Sequence, residues 1–263
     1  MKAVILAAGK STRTEPLTLT RPKPLVKVAG KELIKHTIDM LKGIVDEVIL
    51  VVGYKKEMFA DALGDSYNGI KVTYVEQKEQ LGTGHAVSVV KNYIDEEFFL
   101  MGGDDLFSRE DFLRLKDESL AVLGQQVEDP SRFGVFVVNS RGDLQKIVEK
   151  PKVFVSDIAN IACYKLTPEI FNYLENVKRS ERGEYEFVDA ISDICKEKKV
   201  KVFMTKSWMA VTYAWNLLDV NEILIKDVKR DIVGGVEDNC ALNGEIIVGE
   251  GTVIKSGTYI EGP

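Results

Sequence analysis

Histidine is nearly absent from this chain of 263 residues: His36 and His85 are the only two. Neither stands beside a nucleophile pattern, which argues against Ser-His-Asp or Cys-His hydrolysis and against histidine-rich metal sites. Both read as polar residues on helices. Cysteine is scarce too. Cys163, Cys195 and Cys240 are odd in number and widely spaced, so they form neither a disulfide framework nor a zinc pattern and suit a reducing compartment. No eighteen-residue apolar run occurs, and Met1-Lys2 leads straight into a short apolar segment without a signal-peptide layout. The expectation is a cytoplasmic chain with no membrane partner. Basic residues are outnumbered, 35 Lys and Arg against 41 Asp and Glu, for a net charge of −6. An extended nucleic-acid surface is therefore disfavoured, while a local basic pocket for a small anion is allowed.

What is present is apolar sequence in short pieces. At 45% hydrophobic and 29% charged, the chain can bury a large core as one domain, or as one domain with an appendage. The runs "AVILA" (3–7), "EVILVV" (47–52), "IKVTYV" (70–75) and "FFLMGG" (98–103) alternate with helix-like segments near 31–43, 55–64 and 83–93. This is the rhythm of a mainly parallel, doubly wound α/β sheet. Ligands bind outside the carboxyl ends of such strands, where three features fall: the "AAGKSTR" loop, the "QKEQLGTG" loop and "GGDD". They are expected to converge on one crevice. After residue 118 the strands become irregular, helices follow near 168–177 and 185–197, and a strand lies at 200–205. That half reads as a lid over the nucleotide half. A final helix near 214–227, apolar at Leu217, Leu218, Ile223, Leu224 and Ile225, is broad enough to be a packed layer helix.

The stretch "VILAAGKSTRTEPLTLTRPKPL" (4–25) puts Gly-Lys-Ser after an apolar run, as a phosphate-binding loop does. It is not a Walker A motif, because the required upstream glycine falls on Val4. The dinucleotide fingerprint fails as well, since Ser11 and Thr14 occupy its second and third glycine positions. From residue 230 the period changes. Val236, Leu242, Val248, Ile254 and Ile260 recur every six residues, with Gly251 and Gly257 in step, which is the hexapeptide repeat of a parallel β-helix. Two parts are expected, 1–229 and 230–263. The second holds too few repeats for three coils, as if a longer C-terminal domain were cut short or only rudimentary.

The segment "LAAGKSTRTEPLTLTRPKPLVKVAGKELIKHTI" resembles the signature of the sugar-1-phosphate nucleotidylyltransferases. "EQLGTGHAV", "GGDDLF", "FGVF", "IVEKP", "NIACY" and "WMAVTYAWNLLDVNE" follow in the family's order. The hexad tail is similar to the left-handed β-helix that follows this domain in bifunctional uridylyltransferases. The resemblance implies a three-layer α/β/α mixed sheet with the start of a left-handed β-helix, through which copies can form a homo-oligomer. It implies transfer of a nucleotidyl group from UTP or dTTP to a hexose-1-phosphate, with Mg²⁺ as cofactor. Lys23 in "RPKP" then neutralises the reacting α-phosphate, and Arg13 grips the triphosphate. Leu6, Ala8, Gly9, Thr12, Gln77, Gly82 and Thr83 hold the nucleotide; Gly134, Glu149, Lys150 and Asn160 hold the sugar phosphate; Asp104 holds the metal.

Physical chemistry supports several of these roles. A phosphate monoester nucleophile is already largely ionised at neutral pH and needs no general base, so scarce histidine is no obstacle. The site needs positive charge, amide donors and a carboxylate-held divalent ion around clustered phosphates. Gly9 lets main-chain amides approach a phosphate, and Pro22 and Pro24 limit the swing of Lys23. Plainer readings stand beside these. Arg13 and Lys23 can be solvated loop residues, Asp105 or Ser108 a helix cap, Gly82-Thr83-Gly84 a helix start, and Glu149-Lys150 an exposed charge pair. Asp105 is also the reserve metal ligand.

Four positions depart from the family pattern. Ser11 and Ala162 stand where glycines are usual, and Ala210 stands where a second metal-binding aspartate is usual, with Thr212 in place of its glycine. One missing carboxylate weakens a magnesium site. Two alternatives therefore remain open: a catalytically impaired nucleotide-sugar-binding paralogue or regulatory subunit, and a CTP-using cytidylyltransferase.

Overall fold

The structure, a computed structural model, describes residues 1–263. In chain order the first half comprises β1 (Lys2–Leu6), a hairpin of β2 (Lys27–Val28) and β3 (Lys31–Glu32), α1 (Leu33–Met40), β4 (Glu47–Val52), α2 (Glu57–Leu63), β5 (Ser66–Tyr67), β6 (Ile70–Glu76), α3 (Thr83–Ser88), β7 (Phe98–Gly102) and α4 (Arg109–Lys116). The second half comprises β8 (Ala121–Gln126), β9 (Gly134–Val138), β10 (Leu144–Glu149), β11 (Ile158–Leu166), α5 (Ile170–Leu174), α6 (Phe187–Glu197), β12 (Lys201–Met204) and α7 (Asn216–Ile225).

One mixed sheet runs β10-β9-β11-β7-β1-β4-β6-β5, with β8 hydrogen-bonded to β11 and β12 on a branch. The pairs β1–β4, β1–β7 and β4–β6 are parallel. Parallel strands with helices on both faces bury both sets of side chains, which is why these segments read as unbroken apolar runs. Along β1, Ala3 and Ile5 join one core cluster with Leu50 and Phe99, while Val4 joins the other with Ile49 and Leu100. Those two clusters are the interiors of a three-layer α/β/α sandwich.

Strand β11 links the halves. It pairs antiparallel with β7, placing Cys163 opposite Met101, and its register against β8 slips between Asn160 and Tyr164. Bulges of this kind bend a strand and re-aim its side chains. Here the slip centres on Ala162, at φ +53°.

Helix α7 differs from its sequence reading. It buries Leu217 and Val220 against Val26, Val28, Leu33, Leu106 and Val211, while Leu218 is 73% exposed and Trp215 and Ile223 are also exposed. A layer helix would be covered on both flanks; α7 instead rests one stripe on the β2–β3 hairpin, fixed where Ala29 N–H donates to Asn221 Oδ1 at 2.8 Å.

Beyond residue 230 the chain forms β13 (Asp231–Ile232), β14 (Gly235–Val236), β15 (Ala241–Asn243), β16 (Ile247–Val248), β17 (Val253–Ile254) and β18 (Tyr259–Glu261). Gly235 pairs in parallel with Val253 and Ala241 with Tyr259, each eighteen positions on. That offset is three hexads per coil, the start of a β-helix. Gly251 and Gly257, at φ +77° and +80°, turn its corners. No helix is long and apolar enough to cross a membrane.

Candidate active site

A cleft of about 520 Å³ opens at the carboxyl ends of β1 and β7, walled on one side by the start of α3 and on the other by residues of β10, β11 and α6. Leu6, Ala8, Gly9, Gln77, Gly82, Thr83, Asp104, Glu149 and Asn160 all line it. The three loops at the sheet's carboxyl edge do converge.

After β1 the chain turns away from the sheet. The N–H groups of Ala8, Gly9, Lys10 and Ser11 donate to no protein acceptor, whereas Ala7 N–H still bonds Val51 O. Successive unsatisfied amides at a turn make an anion-binding concavity. Ser11, at φ +52°, closes the turn in left-handed geometry. Its carbonyl accepts from Thr14 Oγ1 at 2.7 Å and Thr18 Oγ1 at 3.0 Å. Thr12 and Arg13 follow in a short 3₁₀ turn, exposed and outside the cleft lining.

Lys23 lies in another 3₁₀ turn between Pro22 and Pro24 and is only 4% exposed. Its Nζ donates to Asp104 Oδ2 at 2.8 Å, while the Asp104 side chain keeps 43% of its surface open. A buried ammonium therefore stands beside a carboxylate at the cleft edge. Asp105 turns the other way. It accepts from Trp208 Nε1 at 3.0 Å and from Val211 N–H at 3.2 Å, tying the end of β7 to the segment containing Ala210. Burial, and then the neighbouring Asp104 carboxylate, push the Asp105 carboxyl up to about 7. Ser108, not an aspartate, caps α4 by accepting from Asp111 N–H.

Gln77 is 4% exposed, yet it lines the cleft. Its Nε2 donates to Gly82 O at 3.1 Å. Gly82 has φ +99° and no side-chain cap opens α3 there. The far wall docks on this loop: Gly84 N–H donates to Tyr185 O, Tyr185 N–H to Leu81 O, and Phe187 N–H to Thr83 Oγ1. In the opposite wall, a Cβ at Gly134 would stand 2.8 Å from Glu149 Oε2, so the glycine leaves room for that carboxylate. Glu149 forms no ion pair with Lys150, which is exposed at φ +41°. Asn160 Oδ1 accepts from Tyr164 Oη at 2.9 Å and Ala162 N–H at 3.0 Å, leaving its amide nitrogen to donate into the cleft.

Sequence reasoning overlooked Tyr164, Gln80, Arg182, Glu184 and Glu186, all of which line the cleft. Arg182 Nη2 lies 2.8 Å from Glu186 Oε1. The segment "RGEYEF" carried one usable signal, a run of polar residues immediately before an amphipathic helix.

The nucleotidyl transferase family model matches residues 2–226. This chain belongs to the nucleotidyl transferase family. It is 40% identical over 256 residues to the bifunctional protein GlmU of Methanocaldococcus jannaschii, a match covering 96% of this chain and 61% of the relative. It is 40% identical over 199 residues to the UTP–glucose-1-phosphate uridylyltransferase AglF of Haloferax volcanii, covering 73% of this chain and 82% of that protein. Among solved structures, a UDP-glucose pyrophosphorylase complexed with UDP-glucose superposes with a TM-score of 0.77 at 26% identity, covering 86% of this chain and 98% of that one. This nucleotidyl transferase thus spans about three fifths of the length of its bifunctional GlmU relative.

Proposed function

We propose that residues 1–229 transfer a uridylyl or thymidylyl group from UTP or dTTP to the phosphate of a hexose-1-phosphate, releasing pyrophosphate, and that 230–263 begin a separate β-helix. The observation carrying this reading is the Lys23–Asp104 pair, with Nζ and Oδ2 2.8 Å apart, at the edge of the cleft between the free amides of the Gly9 loop and the Glu149–Asn160 wall.

The sugar phosphate is already an anion and attacks the α-phosphorus without a base. Lys23, held by its flanking prolines, neutralises charge that grows on the α-phosphate oxygens. The Ala8–Ser11 amides hold the phosphates, and the Gln77–Gly82 loop takes the base. Glu149 and Asn160 bind sugar hydroxyls, and Lys150 guides the sugar's phosphate from the rim, where Arg13 does the same for the triphosphate.

The donor set fits a divalent cation only in part. Asp104 offers Oδ1, which accepts no protein hydrogen bond, but no group of three metal-binding side chains exists. Mg²⁺ accepts such a site when phosphates and water complete its octahedron, and there it would stabilise the charge of the leaving pyrophosphate.

A second reading, nucleotide-sugar binding without turnover, draws on Ala210. It lies between Met209, bridged to Leu106, and Val211, bonded to Asp105, and brings no carboxylate to that spot. The deciding experiment is a matrix of UTP, dTTP and CTP against glucose-, glucosamine- and N-acetylglucosamine-1-phosphate with Mg²⁺, read as pyrophosphate. Release with UTP or dTTP that is lost in Lys23→Ala supports transfer; no release from any combination refutes it. Release with CTP alone points to a cytidylyltransferase.

A further inference from the structure

We infer that His85 is a positioning residue for base choice: through its Nδ1 it fixes the Gln77 amide so that only a hydrogen-bond acceptor, Oε1, is presented to the nucleobase. The inference rests on the proposed nucleotide site and assigns a role within it to the histidine that the reaction itself does not require.

Gln77 Nε2 is 3.1 Å from Gly82 O and 3.2 Å from His85 Nδ1. A main-chain carbonyl can only accept, so the amide group facing it must be the NH₂. The nitrogen of that NH₂ has no lone pair to offer, so His85 Nδ1 must accept and the imidazole proton resides on Nε2. Both amide hydrogens are then committed inside the protein. Oε1 accepts nothing from the protein, and it is not among the two buried polar side-chain atoms that lack a partner, Gln125 Oε1 and Thr167 Oγ1. It therefore opens into the cleft that Gln77 lines.

An isolated glutamine reads either a donor or an acceptor, because its amide can turn over. With two internal acceptors this one cannot. An outward oxygen attracts the N3–H of uracil or thymine and opposes the N3 lone pair of cytosine. Gly82 O anchors one hydrogen and disfavours a flipped amide, but holds the group at a single point. His85 supplies the second anchor from the first turn of α3, the helix that Gly82 opens.

Asparagine can place an Oδ1 near where the His85 Nδ1 acceptor stands; leucine has a similar bulk and no acceptor. The test is calorimetric binding of UTP and of CTP, each with Mg²⁺, to the parent chain, His85→Leu and His85→Asn. The expected result is a UTP:CTP affinity ratio that falls roughly 3- to 10-fold in His85→Leu, the scale of one net hydrogen bond, and returns toward the parent value in His85→Asn. An unchanged ratio in His85→Leu overturns the inference, and so does an equal fall in both variants, which would mean a packing role. A parent that binds neither nucleotide also overturns it. Binding without pyrophosphate release leaves the His85 result readable and refutes only the transfer reaction.

Discussion

Replacing Ala162 with glycine will stabilise the chain. Ala162 sits at φ +53° in the bulge of β11. Left-handed geometry costs an L-residue about 1–2 kcal/mol, and glycine removes that cost. Glycine's greater freedom in the unfolded chain returns about 0.4–1 kcal/mol of it. Ala162 is exposed at the cleft wall, so little packing is lost with its methyl. The balance is a gain of about 0.5–1 kcal/mol, or roughly 1–4 °C in Tm for a chain of this size. Ala60 is the control. It is also exposed but lies inside α2, where the same change will cost about 0.5–1 kcal/mol. Differential scanning calorimetry of the two variants should give opposite signs. If Ala162→Gly lowers Tm as Ala60→Gly does, the backbone account of the bulge is wrong.

Other expectations follow from the same geometry. Lys23→Ala will reduce pyrophosphate release by roughly a hundredfold or more, the scale for one charge-stabilising donor, measured in a coupled pyrophosphate assay at saturating substrates. Gly82→Ala will unfold at lower temperature by several degrees, because a Cβ there would meet Tyr185 O at 2.7 Å and Tyr185 N at 2.9 Å. Backbone cannot yield as a side chain can, and the left-handed φ adds its own cost of about 1–2 kcal/mol. Ala210→Asp will lower the Mg²⁺ concentration for half-maximal turnover by about tenfold, since a carboxylate on the segment bonded to Asp105, the residue after Asp104, adds a second protein ligand; an unchanged Mg²⁺ titration would remove Ala210 from the metal argument.

Much of the sheet could be read directly, since strands buried on both faces must be apolar throughout. "EVILVV" became β4 at the expected residues, Glu47–Val52. The convergence of three loops followed from where the strands end. What stayed hidden depends on backbone contacts that leave no side-chain signature. The 182–188 segment enters the cleft wall because Tyr185 N–H and O bond Leu81 O and Gly84 N–H, and any residue other than proline could make those bonds. Helix α7 misled because its apolar residues outnumber those with a partner. Ser11 and Ala162, both departures from a glycine pattern, share a positive φ, so the glycines of that pattern suit backbone shape at least as well as room for phosphate. His85 read as an ordinary helix residue because its partner, Gln77, lies eight residues upstream across a loop.

The Lys23–Asp104 ion pair has a consequence for how ligands arrive. A bare triphosphate that recruits Lys23 strips Asp104 of its partner and sets two anions side by side. A triphosphate already carrying a cation would give Asp104 a replacement as it took the lysine. If the proposed reaction is the one this site performs, the pair would work as an interlock, in which neither guest gains its full hold until the other is present.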